Sequence, residues 1–295
     1  MIYALVFELS SEHSVAKMCN LFKIARSGFY HWLHQKPGKR AESNQKLLQL
    51  IKKSHEQSDG RYGIDKILRD VHEKMSCSRG RVYRIMKQNG IESIRKRKFK
   101  ATTNSDHKLP VAENLLNQQF TMKKPNQVWV SDISYCRTNE GWLYLATVKD
   151  LFHKGIVGWA ASSTMTRDLV IQALDNAVKR HRPAAGLIHH SDRGVQYCSH
   201  DFQNQLTKYG MKCSMSRKGN CYDNACAETF FSTIKLEMIY HHQFETREQA
   251  KRAIFDYIEI FYNRKRRHQA LNYLSPANYM KQYELQQKIA LKKAS

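Results

Sequence analysis

Val128–Trp129–Val130–Ser131–Asp132–Ile133–Ser134–Tyr135 is the stretch on which the fold turns. It is rich in β-branched and aromatic residues, as a strand requires, yet it carries a carboxylate at its middle. Asn139–Glu140–Gly141 follows as a turn, and Trp142–Val148 and Ile156–Ala161 read as two more strands. Both are nearly continuous in apolar residues, which predicts central strands covered on both faces. A helix over 166–181 sets Leu169, Ala173, Leu174, Ala177 and Val178 on one side. Leu187–His190 is a further strand, and a helix near 200–209 precedes a short strand at 211–215. The order βββαβαβα predicts an α/β fold, a mixed sheet with flanking helices.

Three carboxylates stand out against this frame. Asp132 lies in an apolar strand, where an unpaired charge is costly. Asp192 follows a strand, just before Arg193–Gly194, where the chain delivers it to the edge of the sheet. Glu228 lies in the first turn of a helix whose apolar stripe is Ala227, Phe230, Phe231, Ile234 and Met238. The spacing of 35 residues between Asp192 and Glu228 is not decisive by itself, because Asp201/Glu237 and Asp223/Glu259 repeat it. Asp201 is expected as a first-turn helix charge. Asp223 or Asn224 is expected to cap the next helix, and Glu237 and Glu259 read as solvated charges. Three clustered carboxylates suit Mg2+, with Mn2+ as a substitute, because oxygen donors leave coordination sites for water and phosphate. Two such ions could serve a phosphoryl transfer. His189 and His190 beside Asp192 are read as packing or hydrogen-bonding residues in preference to a general base.

The charge balance points to the substrate class. The 295 residues hold 49 Lys and Arg against 26 Asp and Glu, a net +23. The excess is +14 over residues 1–124 and +9 over 125–295, so both parts face a polyanion, and nucleic acid is the commonest one. The first third is helical. Val15, Met18, Cys19 and Phe22 share a face, and Ser27 is expected to cap a helix carrying Phe29, Trp32 and Leu33. A longer helix spans about 43–55, and Ile64, Ile67, Leu68 and Val71 form the stripe of the next. Ser78 caps a helix with Val82, Ile85 and Met86 inward, Arg79, Arg81, Arg84 and Lys87 outward, and Gly90 at its end. That helix suits a recognition helix in the major groove, and equally a solvated face on a small bundle. Arg95–Lys96–Arg97–Lys98–Phe99–Lys100 is a cationic run suited to tracking phosphates. Arg264–Lys265–Arg266–Arg267–His268 forms a second basic cluster after an amphipathic helix at 247–262.

Seven scattered cysteines without a CxxC pair argue against a disulfide framework and for a reducing cytosol. His31 and His34 have His-x-x-His spacing but lack the partners of a zinc site. Met1–Phe7 is too short and too little basic for a signal peptide, and no apolar run is long enough to span a membrane. The expected location is cytoplasmic, on DNA, with no membrane partner.

Three long motifs carry a family resemblance. Trp129 to Tyr135, His190–Ser191–Asp192–Arg193–Gly194–Val195–Gln196–Tyr197, and Ser216 to Phe231 around Glu228 resemble the catalytic motifs of the IS-three family of insertion-sequence transposases. Lys235, seven residues after Glu228, matches that family's basic position, and Tyr262 to Ala277 resembles its C-terminal segment. The resemblance implies an RNase H-like core of the retroviral-integrase type, preceded by an all-α helix-turn-helix-like region. It also implies Mg2+-dependent cleavage of DNA and joining of the freed 3′-hydroxyl to another phosphodiester, with Asp132, Asp192 and Glu228 as catalytic metal ligands. Implied partners are transposon ends and target DNA, a homo-oligomer on DNA, and a first-reading-frame protein joined by frameshifting. No heptad run for a leucine zipper is visible in this chain. The expected division is a helical DNA-binding region (1–94), a basic linker (95–124), the catalytic core (125–240) and a C-terminal helical basic extension (241–295). Two rivals stay open: an RNase H-like nuclease that never joins strands, and a DNA-binding regulator with a silent core.

Overall fold

The computed structural model describes residues 2–34, 38–94, 111–217 and 221–294. At its centre is a five-stranded sheet formed by β1 (Val128–Thr138), β2 (Gly141–Asp150), β3 (Ile156–Ser162), β4 (Ile188–Ser191) and β5 (Lys212–Met215), in the order β3-β2-β1-β4-β5. The first three strands form an antiparallel meander, because the turn after Thr138 is short enough for a hairpin. β4 and β5 run parallel to β1, each reached through a helical crossover. The helices of this part are α7 (Arg167–His181), α8 (Val195–Cys198), α9 (His200–Lys208) and α10 (Ala225–Glu237).

The expected centrality of β3 does not hold: it is an edge strand. Its apolar run is explained by cover on both faces. Val157 and Ala160 pack with Leu169, Ala173 and Ala177 of α7, while Ile156 packs with Ile258 and Phe261 from later in the chain. Gly158 permits the first contact, since a Cβ there would lie 2.4 Å from the Ala173 carbonyl oxygen. At the start of β3 a side chain takes the place of a neighbouring strand. The Ile156 N–H donates to Asn263 Oδ1 and Asn263 Nδ2 donates to the Ile156 carbonyl, both at 2.9 Å. This bond pair caps the first residue of the edge strand.

The segment beyond residue 240 packs into the same core. α11 (Arg247–Phe255) continues into a π-helical stretch, Asp256–Tyr262. Ala250, Ile254, Tyr257 and Ile258 join Cys136, Leu143 and Leu145 of the sheet and Phe230 and Ile234 of α10 in one buried cluster. α12 (Pro276–Ala294) ends the described chain.

The amino-terminal third is helical, as its periodicity predicts. α1 (Ile2–Glu8), α2 (Val15–Leu21) and α3 (Arg26–His34) enclose a small core of Val6, Met18, Cys19 and Phe29. Ser27 is the second residue of α3 and not its cap, because the helix already starts at Arg26. α4 runs from Lys39 to Gln57, earlier than the apolar stripe alone suggests. α5 (Ile64–His72) and α6 (Arg79–Gln88) pack on it through Leu47, Ile51, Ile67, Val71, Val82 and Ile85. Ser78 caps α6 by accepting from the Arg81 N–H at 3.3 Å, and Gly90 leaves the helix with φ +63°.

Candidate active site

The parallel pairing of β1 with β4 covers only Val128, Trp129 and Val130. Beyond it the two strands part, and the crevice outside the carboxyl ends of such strands is the usual ligand site of an open α/β sheet. Asp132 lies two residues past the last paired position of β1, and Asp192 directly follows β4. Glu228 enters from the first turn of α10. The Asp192 carboxylate accepts the Gly194 N–H at 2.9 Å, which folds Asp192–Arg193–Gly194 back on itself before α8. The Asp132 carboxylate accepts the Ile133 N–H at 2.8 Å.

The three carboxylates interact through their charges. The Asp132 carboxyl is raised well above its ordinary value by burial and then by the negative charge of Asp192, with Glu228 adding to it. Glu228 is raised by burial and by Asp192. Lys235 acts in the opposite direction on Asp132, favouring its ionised form. Mutual repulsion of this kind is relieved by a proton or a cation. The donor chemistry fits a hard divalent ion. Among the described residues, though, no three His, Cys, Asp or Glu side chains are gathered closely enough to form a ready metal cage.

Below the carboxylates lies a dry polar layer. His189 Nε2 is 2.7 Å from Ser131 Oγ, and His190 Nδ1 is 2.9 Å from Ser214 Oγ. Burial lowers His189 to about 3 and His190 to about 4, so both imidazoles are neutral at pH 7 and tie β4 to β1 and β5. Tyr197 is buried beside them, and its hydroxyl has no hydrogen-bond partner among the described residues.

The competing carboxylates have other roles. Asp201 is a first-turn residue of α9, paired with Arg167 at 2.9 Å. Asp223 does not cap α10. It accepts from the Arg217 backbone N–H and guanidinium and from Asn114 and Gln118, and the Arg217 bonds hold it far below the usual carboxylate range. Asn224 occupies the cap position without a side-chain bond to the helix. Glu237 and Glu259 are not solvated charges. Glu237 is buried against Arg266, and Glu259 bonds Arg180 at 2.8 Å and the Trp159 indole at 3.0 Å.

The expected DNA-contacting residues divide in the same way. Arg84 and Lys87 are exposed on α6, and Arg79 is exposed but paired with Asp65 at 2.8 Å. Arg81 turns inward, donating to Asn44 and Ser43 of α4 at 2.9 and 2.8 Å, so it braces the bundle and does not face solvent. Arg264 and Lys265 are exposed. Arg266 is not available to DNA, because it is 6 % exposed and its guanidinium is committed to Glu237. Arg267 bridges to Asp70 of α5 and to Glu73 just after it, and is largely buried. Arg95, Lys96, Arg97 and Lys98 lie outside the described residues. Lys235 is half-buried, with its ammonium 5.1 Å from the ring centroid of Tyr135. Sequence reasoning passed over Tyr135 and Trp142 as surface features. They lie on either side of the hairpin turn, on β1 and β2, where sequence alone marks them only as strand formers.

The sheet and its carboxylate crevice define an integrase-type core. In agreement, the family described as Integrase core domain matches residues 122–221 and a second Integrase core domain family matches 228–283, while an HTH-like domain matches 42–99. The 31 kDa protein of insertion element IS600 from Shigella sonnei is 47% identical over 267 residues, covering 90% of this chain and 98% of that one. The transposase InsF for insertion sequence IS3A of Escherichia coli (strain K12) is 38% identical over 282 residues, covering 95% and 98%. The chain belongs to the IS-three family of insertion-sequence transposases. The magnesium-bound HTLV-2 integrase catalytic core domain is a remote structural neighbour, 16% identical with a TM-score of 0.42, covering 53% of this chain and 97% of that one. DNA transposition is the function that the family supports. No helix among the described residues is long and apolar enough to cross a membrane.

Proposed function

We propose that this chain cleaves DNA at the ends of its insertion sequence and joins the freed 3′-hydroxyl to target DNA, with Asp132, Asp192 and Glu228 as the ligands of divalent metal, Mg2+ first and Mn2+ as a substitute. What supports this reading is the placement of the carboxylates: Asp132 lies just past the parting of β1 and β4, Asp192 directly follows β4, and Glu228 is in the first turn of α10, with Asp132 and Glu228 both raised by burial and by the charge of Asp192. When bound, two ions would supply charge to the attacking and leaving oxygens of the phosphodiester.

The chain's own groups do the rest. Asp132 is held within the β1–β2 ladder and Asp192 by its position directly after β4, each with a backbone N–H bond to its carboxylate, whereas Glu228 extends from a helix. Lys235 is aligned to within about 20° of Glu228 around α10, two turns on, and its ammonium would hold a phosphate beside the reacting one. The neutral histidines exclude water beneath the site without competing as bases. Arg84 and Lys87 of α6, the run Arg95, Lys96, Arg97 and Lys98, and Arg264 with Lys265 would contact phosphates along the DNA. The functional division is a DNA-binding region over 1–94, a basic linker over 95–124, the catalytic core over 125–240 and a basic extension over 241–295. A homo-oligomer on DNA and a first-reading-frame partner complete the proposal.

The test is incubation of the purified chain with labelled duplex carrying the element's ends and Mg2+. Joined products support the proposal. Cut products alone would reduce it to a nuclease, and a mobility shift alone to a DNA-binding regulator.

A further inference from the structure

The second half of β1 has little strand cover on the side towards β4. After Val130, among the described residues, its one further bridge to another segment on that side is between Thr138 and Phe244. Side chains alternate along a strand, so Tyr135 lies on the face opposite Asp132, three residues and roughly 10 Å further on. Across the ladder, Arg137 pairs with Trp142 and Tyr135 with Tyr144, which sets Tyr135, Arg137 and Trp142 on one face. The face beyond α7 is open there: Tyr135 and Trp142 are each 44 % exposed. Their rings meet edge to face, with centroids 5.0 Å apart and planes at 79°, an arrangement that leaves broad aromatic surface in water.

Cations surround this pair. Arg137 is exposed directly across from Trp142. Arg247 donates from Nε to the Trp142 carbonyl at 3.1 Å. Lys235 reaches the Tyr135 ring while its charge is also felt at Asp132 and Cys136, so it spans the two faces of β1. The nearby acids, Glu140 and Glu245, are engaged at the hairpin turn with the Arg247 N–H and Asn139. Aromatic faces beside cations suit a nucleobase with its phosphates better than an apolar protein surface.

We infer that Tyr135 and Trp142 form a stacking platform for an unpaired base of the DNA strand whose phosphate lies at Lys235 and the carboxylates. A base stacked within a duplex has no free face to offer, so the ligand is a nucleotide freed from pairing at a DNA end. Trp142 supplies the stacking surface, Tyr135 fixes its orientation, and Lys235 and Arg137 hold the flanking phosphates. This assignment rests on the placement of DNA at the carboxylate crevice proposed above, and it adds a way of telling an opened end from a closed one.

The test uses the full chain in EDTA, so that turnover plays no part. One short duplex is blunt, and another of the same sequence carries a single-stranded tail with 2-aminopurine as its first unpaired base. The wild-type chain should bind the tailed duplex more tightly and quench the 2-aminopurine. Trp142→Ala should lose the quenching and weaken tailed-duplex binding by roughly 5- to 100-fold, while blunt-duplex binding stays as it was. Trp142→Phe should retain most of both effects, and Tyr240→Ala, at a position 67 % exposed on the surface, should change neither. Quenching and tail preference that survive in Trp142→Ala would overturn the platform. So would a change in sedimenting mass of that variant with its DNA behaviour intact, which would mark a self-association face. Failure of the wild-type chain to bind even blunt duplex would instead remove the DNA placement on which the platform depends.

Discussion

Glu237→Ala is expected to destabilise the protein severely. The carboxylate accepts from Arg266 Nε and Nη2 at 2.8 and 2.7 Å and from the Tyr257 hydroxyl at 2.8 Å, all out of contact with water. Removing it leaves a guanidinium buried without a counter-charge and a tyrosine hydroxyl without an acceptor. Loss of one partner from a buried pair costs about 3–5 kcal/mol. For a chain of this size that is a fall in Tm on the order of 6–15 °C. The damage should extend to the docking of the amino-terminal helices, because Arg61 donates to the Glu237 carbonyl at 3.1 Å and the Tyr62 hydroxyl to that of Lys265 at 2.9 Å. Urea unfolding followed by circular dichroism measures the loss, and Glu237→Met with Arg266→Met should recover much of it, since an apolar pair leaves no orphaned charge. Burial alone would raise the Glu237 carboxyl above 4.5, but the bonds and charge of Arg266 outweigh it and hold it lower. Its contribution is therefore present in full above about pH 4.5 and fades as the pH falls through the lower folded value. Stability of Glu237→Ala within about 0.5 kcal/mol of wild type would refute the reasoning.

Lys149, buried and donating to the Cys226 carbonyl at 2.8 Å, is lowered by burial from 10.5 to about 8. The unfolded chain binds the extra proton between those values, so stability should rise across that window, and Lys149→Met should flatten the rise in pH-dependent unfolding. Replacing Arg264 and Lys265 with Gln should lower the slope of log Kobs against log salt by about 2, read by fluorescence anisotropy, and an unchanged slope would make them solvated charges. Lys235→Ala should slow joining of pre-cut ends by about 10²-fold relative to the surface control Lys251→Ala, because a misplaced DNA end reacts poorly. Equal rates for the two would return Lys235 to the ordinary surface charges.

The strands and the helices between them were legible because each rests on local signals: β-branched runs, a hairpin turn and apolar stripes at helical spacing. What escaped was set by distant partners. Ile156–Ala161 reads as a central strand because its composition records burial, and the source of that burial, α7 and the π-helical segment, is remote in sequence. Glu237 lies among polar and apolar neighbours like any solvated helix charge, and only the return of the chain at Arg266 makes it an anchor. The same return removes Arg266 from the basic cluster, since charge counted along the sequence cannot separate a paired guanidinium from an exposed one. Arg81 went the same way through its bonds to α4. Tyr135 and Trp142 were readable only as strand formers, because the exposure of their rings depends on what packs on that face of the hairpin and not on their neighbours in sequence.

The central claim is that Asp132, Asp192 and Glu228 act as one catalytic set. Asp132→Asn, Asp192→Asn and Glu228→Gln should each abolish cleavage and joining of labelled element ends in Mg2+ while DNA binding by mobility shift stays near that of the wild-type chain. Removing a repelling or buried carboxylate should also leave each variant as stable as wild type or more so, in contrast to Glu237→Ala. Near-full activity of Glu228→Gln would contradict the account, and its loss in a fully folded Glu259→Gln variant would show that the catalytic pair had been chosen wrongly.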